Sequence, residues 1–284
     1  MVDFIHSAHH HGWLALATHV IANVALGFLM VLLVYFFKTP WLAIGLLLIS
    51  KWRVLAVRPR YWWANILSSL PDLVVGLSVI MLATYVGNTY ENLIRNGLPP
   101  TMGTMFWSFN VNALEVQLGI ATLYAIWLAW IKPLSSERAV LFQASVCELF
   151  GLMVIYTLSK ETLRLALVLT FVVAFSAARQ ALGQYDEKSR SLLASVWGVL
   201  VTILGYACWH WNVMYPVISL LILLPQIVIF VAMISFVTIK VYKAWADDRH
   251  VTWEELGAPV VFALAMTVVL LIFFSRLFEL PIQP

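Results

Sequence analysis

The sequence predicts an all-α fold, a polytopic transmembrane helical bundle of about eight membrane-spanning helices. The first observation is composition, because 62% of the 284 residues are apolar and only 11% are charged. Soluble domains are about 45–50% apolar and about 25% charged, so a soluble chain of this composition could not cover its core. The mean hydropathy of +0.91 points the same way. Disordered chains, collagen-like repeats and disulfide-stapled scaffolds are excluded on the same grounds.

The second observation is the length of the apolar runs, since about 20 apolar residues are needed to cross about 30 Å of hydrocarbon. The runs of sufficient length are 13–37, 66–86, 111–131, 139–158, 162–182, 192–210, 214–240 and 258–278. A ninth run, Trp41 to Ser50, has only ten residues. It crosses only if its helix continues to about Val57 with Lys51 and Arg53 snorkelling, which would give nine spans. The links are short and the composition is uniform, so residues 1–284 are expected to form one membrane domain.

The third observation is the distribution of positive charge between these runs. Eight spans place 13 of the 17 Lys and Arg residues on one face and 4 on the other, whereas nine spans give 12 and 5. The positive-inside rule makes the basic face cytoplasmic, and the eight-span arrangement then puts both termini outside, with a plasma-membrane location expected. Residues 1–37 contain no Lys or Arg, so a removable signal peptide is not expected.

Glu148 is the first candidate functional residue, because it lies midway along the run 139–158. A charged side chain at the centre of a membrane helix costs about 2.5–3.5 kcal/mol of insertion free energy, even on the lowest experimental scales. Ala144, Ser145 and Gly151 follow the helical spacing around it and make a small-residue face, so Glu148 should point into the bundle. No positive charge is available at the same depth. Two interpretations stay open: a group that handles ions or protons, or a hydrogen-bonded structural carboxyl group.

Three further polar residues are candidates for lining the same transport path or ion-binding site. Asp72 lies about two turns into its run, and Glu115 lies about one turn from the exterior end of its own. Either side chain could instead reach water at the interface. Gln226 follows Pro225 near the expected middle of 214–240, where a proline frees a backbone carbonyl that transporters use to line sites. A tolerated proline kink is the alternative.

A basic segment follows the short ninth run, with Lys51, Arg53, Arg58 and Arg60 interleaved with Trp and Tyr. Such a segment can contact anionic lipid headgroups, and each cation contributes about 1 kcal/mol near the membrane surface. An ordinary positive-inside loop with aromatic anchors is the alternative. Four cations in one short loop are too few to predict binding of nucleic acid.

No cofactor or metal site is predicted. His6, His9, His10 and His11 could bind zinc, copper or nickel loosely, but they lack a distant cysteine or carboxylate partner. The two cysteines, Cys147 and Cys208, fall inside apolar runs and are expected to be small core residues rather than a disulfide.

Missing motifs narrow the function further. The chain has no phosphate-binding GxxxxGK[ST] loop, no HExxH zinc helix and no GxSxG nucleophile elbow, so it carries no ATPase domain of its own. The leading hypothesis is a small secondary transporter, or an ion-handling protein, for a small solute or cation. A non-catalytic structural or accessory subunit that binds other membrane proteins is the main alternative. A membrane enzyme that holds a phosphorylated or lipid-linked substrate through Arg58 and Arg60 is the third, but no nucleophile–base pair supports it.

Overall fold

The computed structural model describes residues 13–52, 59–97, 101–104, 107–110, 112–159, 162–185, 187–211, 213–218, 221–248 and 253–269. Within these ranges the chain is almost entirely helical, so the predicted fold class is confirmed. The helices are α1 Trp13–Phe37, α2 Trp41–Ser50, α3 Trp62–Arg95, α4 Ala113–Ile126, α5 Glu137–Leu158, α6 Leu163–Leu182, α7 Arg190–Trp211, α8 Gln226–Asp248 and α9 Trp253–Val269. A π-helical turn, Trp127–Ile131, extends α4.

Seven of these helices are long and apolar enough to cross a membrane: α1, α3, α4 with its π-helical turn, α5, α6, α7 and α8. The protein is therefore an integral membrane protein. The predicted last span, 258–278, begins inside α9 and continues beyond the described residues.

Short links alternate the helix directions, so the bundle has two ends. We call one the basic end, because it carries Lys51, Lys132, Arg138, Arg179, Arg190 and Lys243. We call the other the hairpin end, because two antiparallel hairpins lie there: β1 (Thr101–Thr104) with β2 (Trp107–Asn110) between α3 and α4, and β3 (Met214–Ile218) with β4 (Ile222–Pro225) between α7 and α8.

The β3–β4 hairpin corrects the prediction of one helix over 214–240, which is wrong for residues 214–225. α8 begins only at Gln226, whose backbone N–H donates to the carbonyl of Val213 at 2.9 Å. Continuous apolar runs look alike in buried strands and buried helices, so periodicity does not separate them. Leu221 and Leu223 are buried. Protein therefore covers β4, whereas Pro216 and Val217 of β3 are exposed.

The position of α2 bears on the number of spans. Lys38 adopts a left-handed φ of 56° in the tight link between α1 and α2, and its ammonium lies 3.0 Å from the carboxylate of Glu91. Just after α2, the ammonium of Lys51 lies 2.9 Å from Asp72. Asp72 and Glu91 are 19 residues apart on α3 (91 − 72), or about 28 Å at 1.5 Å per residue.

That separation is close to the thickness of the hydrocarbon core of a bilayer. Lys38 and Lys51 therefore lie near opposite ends of the bundle, and α2 runs between them. α2 itself has only ten residues and rises about 15 Å, so it is too short to be counted among the membrane-spanning helices.

α3 is the centre of the bundle and packs against α1, α2, α4, α5 and α6. Gly76 allows α2 to approach closely, because an added Cβ there would lie 2.8 Å from a methyl carbon of Leu47. The same Cβ would lie 2.9 Å from the hydroxyl of Tyr124 on α4. Small residues at such crossings are typical of membrane bundles, where close packing replaces the hydrophobic driving force.

Candidate functional site

A cavity of about 210 Å³ lies between α5, α6, α7 and α8. Its wall takes side chains from residues between 141 and 148 of α5, 177 and 182 of α6, 193 and 200 of α7, and 235 and 242 of α8, together with Tyr185. On the four helices these residues extend from the basic end to the middle of the helix, which Glu148 and Ser235 mark on α5 and α8. We call this part of the bundle the open half.

Glu148 lies at the deep end of the cavity and is only 4% exposed. Its Oε1 accepts a hydrogen bond of 2.6 Å from the indole Nε1 of Trp197 on α7. Its Oε2 accepts one of 3.0 Å from the hydroxyl of Ser235 on α8. The prediction that Glu148 points into the bundle is confirmed. Its small neighbours Ala144 and Ser145 line the same cavity.

The two partners of Glu148 differ in what they can do when the carboxyl group changes its charge. An indole N–H is only a donor, so Trp197 keeps Oε1 as an acceptor in both protonation states. A hydroxyl group both donates and accepts, so Ser235 can reverse its hydrogen bond when Oε2 carries a proton. The carboxyl group can therefore gain or lose a proton while both hydrogen bonds remain.

Beyond Glu148, towards the hairpin end, the same helices pack closely. Leu152 is fully buried, and Tyr156 is 3% exposed with its hydroxyl directly against Gly205 of α7. A Cβ on Gly151 would lie 2.7 Å from a methyl carbon of Val173 on α6. We call this part the packed half. The lining residues of the cavity do not extend into it.

Tyr185 and Tyr242 line the cavity at its basic end, with ring centroids 5.1 Å apart in an edge-to-face arrangement. The Tyr242 hydroxyl donates to Glu187 at 2.8 Å, and the Tyr185 hydroxyl donates to Glu137 at 3.3 Å. Lys243 also pairs with Glu137, at 3.0 Å. These contacts connect the ends of α5, α6 and α8 beside the cavity.

The structure does not bring the other predicted path residues to this cavity. Asp72 lies in an ion cluster at the basic end, 2.9 Å from the ammonium of Lys51 and 2.5 Å from that of Lys132. This cluster connects α3 to the ends of α2 and α4, and none of its members lines the cavity.

Glu115 and Gln226 lie towards the hairpin end. Glu115 is exposed and forms a capping box with Asn112 at the start of α4, which gives it a local structural role. Gln226 is 3% exposed, but it begins α8 rather than lying in the middle of a span. Of the four predicted path residues, only Glu148 lines the cavity.

The predicted headgroup contacts are only partly described. The ammonium of Lys51 is engaged with Asp72. Arg60 is exposed, and its guanidinium lies 4.9 Å from the centroid of the Tyr61 ring and donates to the Tyr61 hydroxyl at 2.7 Å. Arg53 and Arg58 lie outside the described residues.

Sequence reasoning missed the two side chains that bind Glu148. Trp197 lies well inside the run 192–210, away from the interfacial depth where Trp is usual in membrane proteins, and that position was a usable signal. Ser235 is a single hydroxyl in an apolar helix and carried no distinguishing pattern. Both assignments depend on how α7 and α8 pack on α5, which one sequence does not determine.

No group of three His, Cys, Asp or Glu side chains that could hold a metal ion occurs in the described part of the chain. The four N-terminal histidines lie outside it. Comparisons with protein-family models, with curated proteins and with solved structures find no match for this chain.

Proposed function

We propose that this integral membrane protein is a small secondary transporter, or an ion-handling protein, in which Glu148 is the group that binds and releases a proton or cation. One observation carries the proposal: a buried carboxyl group ends a cavity that is present in only one half of the bundle. A carrier that alternates its access needs a central site reached from one side at a time. An inward-facing state of such a carrier would have this arrangement.

The hydrogen bonds of Glu148 support a proton-handling role. A purely structural carboxyl group needs only to be satisfied in one protonation state. Here the donor-only indole of Trp197 and the reversible hydroxyl of Ser235 satisfy it in both states. A proton can therefore be exchanged without leaving a buried polar group unpaired, which would cost about 1–3 kcal/mol.

The orientation belongs to the same proposal. With nine spans the basic end is cytoplasmic by the positive-inside rule, the amino terminus lies inside and the carboxyl terminus outside. The cavity then faces the cytoplasm of a cell whose plasma membrane holds the protein. Lys51, Arg53, Arg58 and Arg60 form the segment proposed to lie near anionic headgroups on that side.

The test is proton flux in proteoliposomes that contain a pH-sensitive dye, with an imposed membrane potential. We expect potential-driven proton movement by the wild-type protein and at least a tenfold lower rate for Glu148→Gln, which cannot exchange a proton. Glu115→Gln is the matched control, because that carboxylate is exposed and lies outside the cavity.

Equal flux through the wild type and Glu148→Gln would contradict the proposal. An absence of flux through both, together with a second protein chain that stays bound in mild detergent, would favour the accessory-subunit alternative.

A further inference from the structure

We infer that the cavity at Glu148 binds a lipophilic organic amine, with the ammonium group against the carboxylate and the apolar part against the walls that α6 and α7 provide. The inference deepens the proposed function, because it names the chemical class of the solute. It rests on four features of the cavity: its charge, its walls, its size and its side opening.

Any charge that the carboxyl group of the wall carries is negative. Glu148 is its only ionisable carboxylate, and no Lys, Arg or His belongs to the described lining. The two groups that bind the carboxylate, Trp197 and Ser235, are neutral. A cationic ligand would supply the missing positive charge beside a carboxyl group that is only 4% exposed, where the attraction between opposite charges is stronger than in water.

The rest of the wall is apolar or aromatic. Ala177, Ala178 and Ala181 make one side, and the rings of Trp197, Tyr185 and Tyr242 face the same space. Aromatic rings attract ammonium groups electrostatically, and they attract quaternary ones without a need for hydrogen bonds. Such walls suit the hydrocarbon part of an amine and would not replace the hydration shell of a polar solute.

A hydrated inorganic cation fits less well. Hard cations such as Ca²⁺ require about six to eight oxygen ligands. Besides one carboxylate, the cavity offers mainly hydroxyl groups. Around Glu148 the two carboxylate oxygens and the hydroxyl oxygens of Ser145, Ser235 and Thr238 give only five side-chain oxygens.

The size and the side opening also favour a lipophilic ligand. The volume of about 210 Å³ exceeds that of an engineered apolar cavity of about 150 Å³ that binds benzene. On the α7 side the lining residues Val196 and Leu200 are 51% and 55% exposed, on a surface that hydrocarbon covers in the membrane. A ligand dissolved in the bilayer can therefore reach the cavity between α7 and α8.

The test uses two probes of the same shape, benzyltrimethylammonium and its uncharged carbon analogue neopentylbenzene. Equilibrium dialysis of radiolabelled benzyltrimethylammonium against protein in nanodiscs measures binding without any transport. We expect one saturable site per chain in the wild type and in Glu115→Gln, with affinity at least tenfold lower in Glu148→Gln. Neopentylbenzene should not displace the cation at equal concentration.

A second variant addresses the case in which Glu148→Gln fails to fold. Ala178→Leu fills the cavity and leaves the carboxylate in place, and we expect it to lose binding by a similar factor. Unchanged binding in both variants, or equal competition by neopentylbenzene, would overturn the inference and indicate a neutral lipophile or a lipid chain. Dialysis measures binding without flux, so the two proposals can fail separately. Amine binding with no proton movement would refute the proposed transport but not amine binding. Proton movement with no amine binding would refute amine binding but not the proposed transport.

Discussion

The open half and the packed half of the bundle are built from the same helices, α5, α6 and α7, yet they use different side chains where the helices meet. In the packed half, Leu152 and Tyr156 fill the space, and Gly151 and Gly205 allow neighbouring side chains to approach closely. In the open half, alanines leave a cavity and a carboxyl group lies at its end. The change from cavity to close packing occurs within about one turn of α5, between Glu148 and Leu152. Burial alone therefore does not mark a site, since both residues are buried.

The largest expected effect compares a leucine from each half. Leu152→Ala removes a fully buried side chain, and comparable core substitutions cost about 2–5 kcal/mol because a void is left. Leu200→Ala removes a side chain that is 55% exposed and lines an existing cavity, so we expect a loss below about 1 kcal/mol. Thermal unfolding in detergent measures both. Similar losses for the two variants would remove the distinction between the halves.

The next effect concerns the hydrogen bond between α8 and Glu148. Ser235→Ala removes the hydroxyl partner of Oε2, and a hydrogen bond contributes about 0.5–3 kcal/mol, depending on the charge of the carboxyl group. We expect a stability loss in the lower part of that range. Ser235→Thr keeps the hydroxyl group and should restore most of the loss. Thermal unfolding at neutral pH measures the stability of both variants. An equal loss of stability in Ser235→Ala and Ser235→Thr would show that the hydroxyl group does not stabilise the fold through Glu148.

The smallest effect concerns the contact of Tyr242 with Glu187 at the basic end. The pKa of Glu187 is held below its usual range, first by the backbone N–H of Ser189 and then by the Tyr242 hydroxyl. A lowered pKa means that folding favours the ionised form. The contact therefore contributes above the usual pKa of glutamate, about 4.3, and is lost as the pH falls through the lower value.

Tyr242→Phe should consequently lower the unfolding temperature slightly at pH 7, and its effect should be smaller at pH 3, below the usual pKa of glutamate. Tyr206→Phe is the matched control, since this exposed tyrosine of α7 lies outside the cavity. A difference between Tyr242→Phe and the wild type that persists unchanged at pH 3 would contradict this explanation of the contact.

Much of the fold follows from the sequence, because long apolar runs must form helices to satisfy their backbone in hydrocarbon. The inward direction of Glu148 was also predictable, from small residues at helical spacing. The β3–β4 hairpin was not, since an apolar run reads equally as strand or helix. The placement of Lys38 opposite Glu91 and the two partners of Glu148 depend on contacts between distant segments, which a single sequence does not specify.

The most direct test of the central claim, that Glu148 is reached through the open half and not through the packed half, is thiol accessibility on the two sides of this residue. Cys147 and Cys208 are first replaced by alanine, so that single cysteines can be introduced by Ala178→Cys in the open half and Val154→Cys in the packed half. A small membrane-impermeant cationic methanethiosulfonate is then added to oriented vesicles. We predict that Ala178→Cys reacts from the basic side at least tenfold faster than Val154→Cys. Equal rates, or reaction of Ala178→Cys only from the hairpin side, would contradict it.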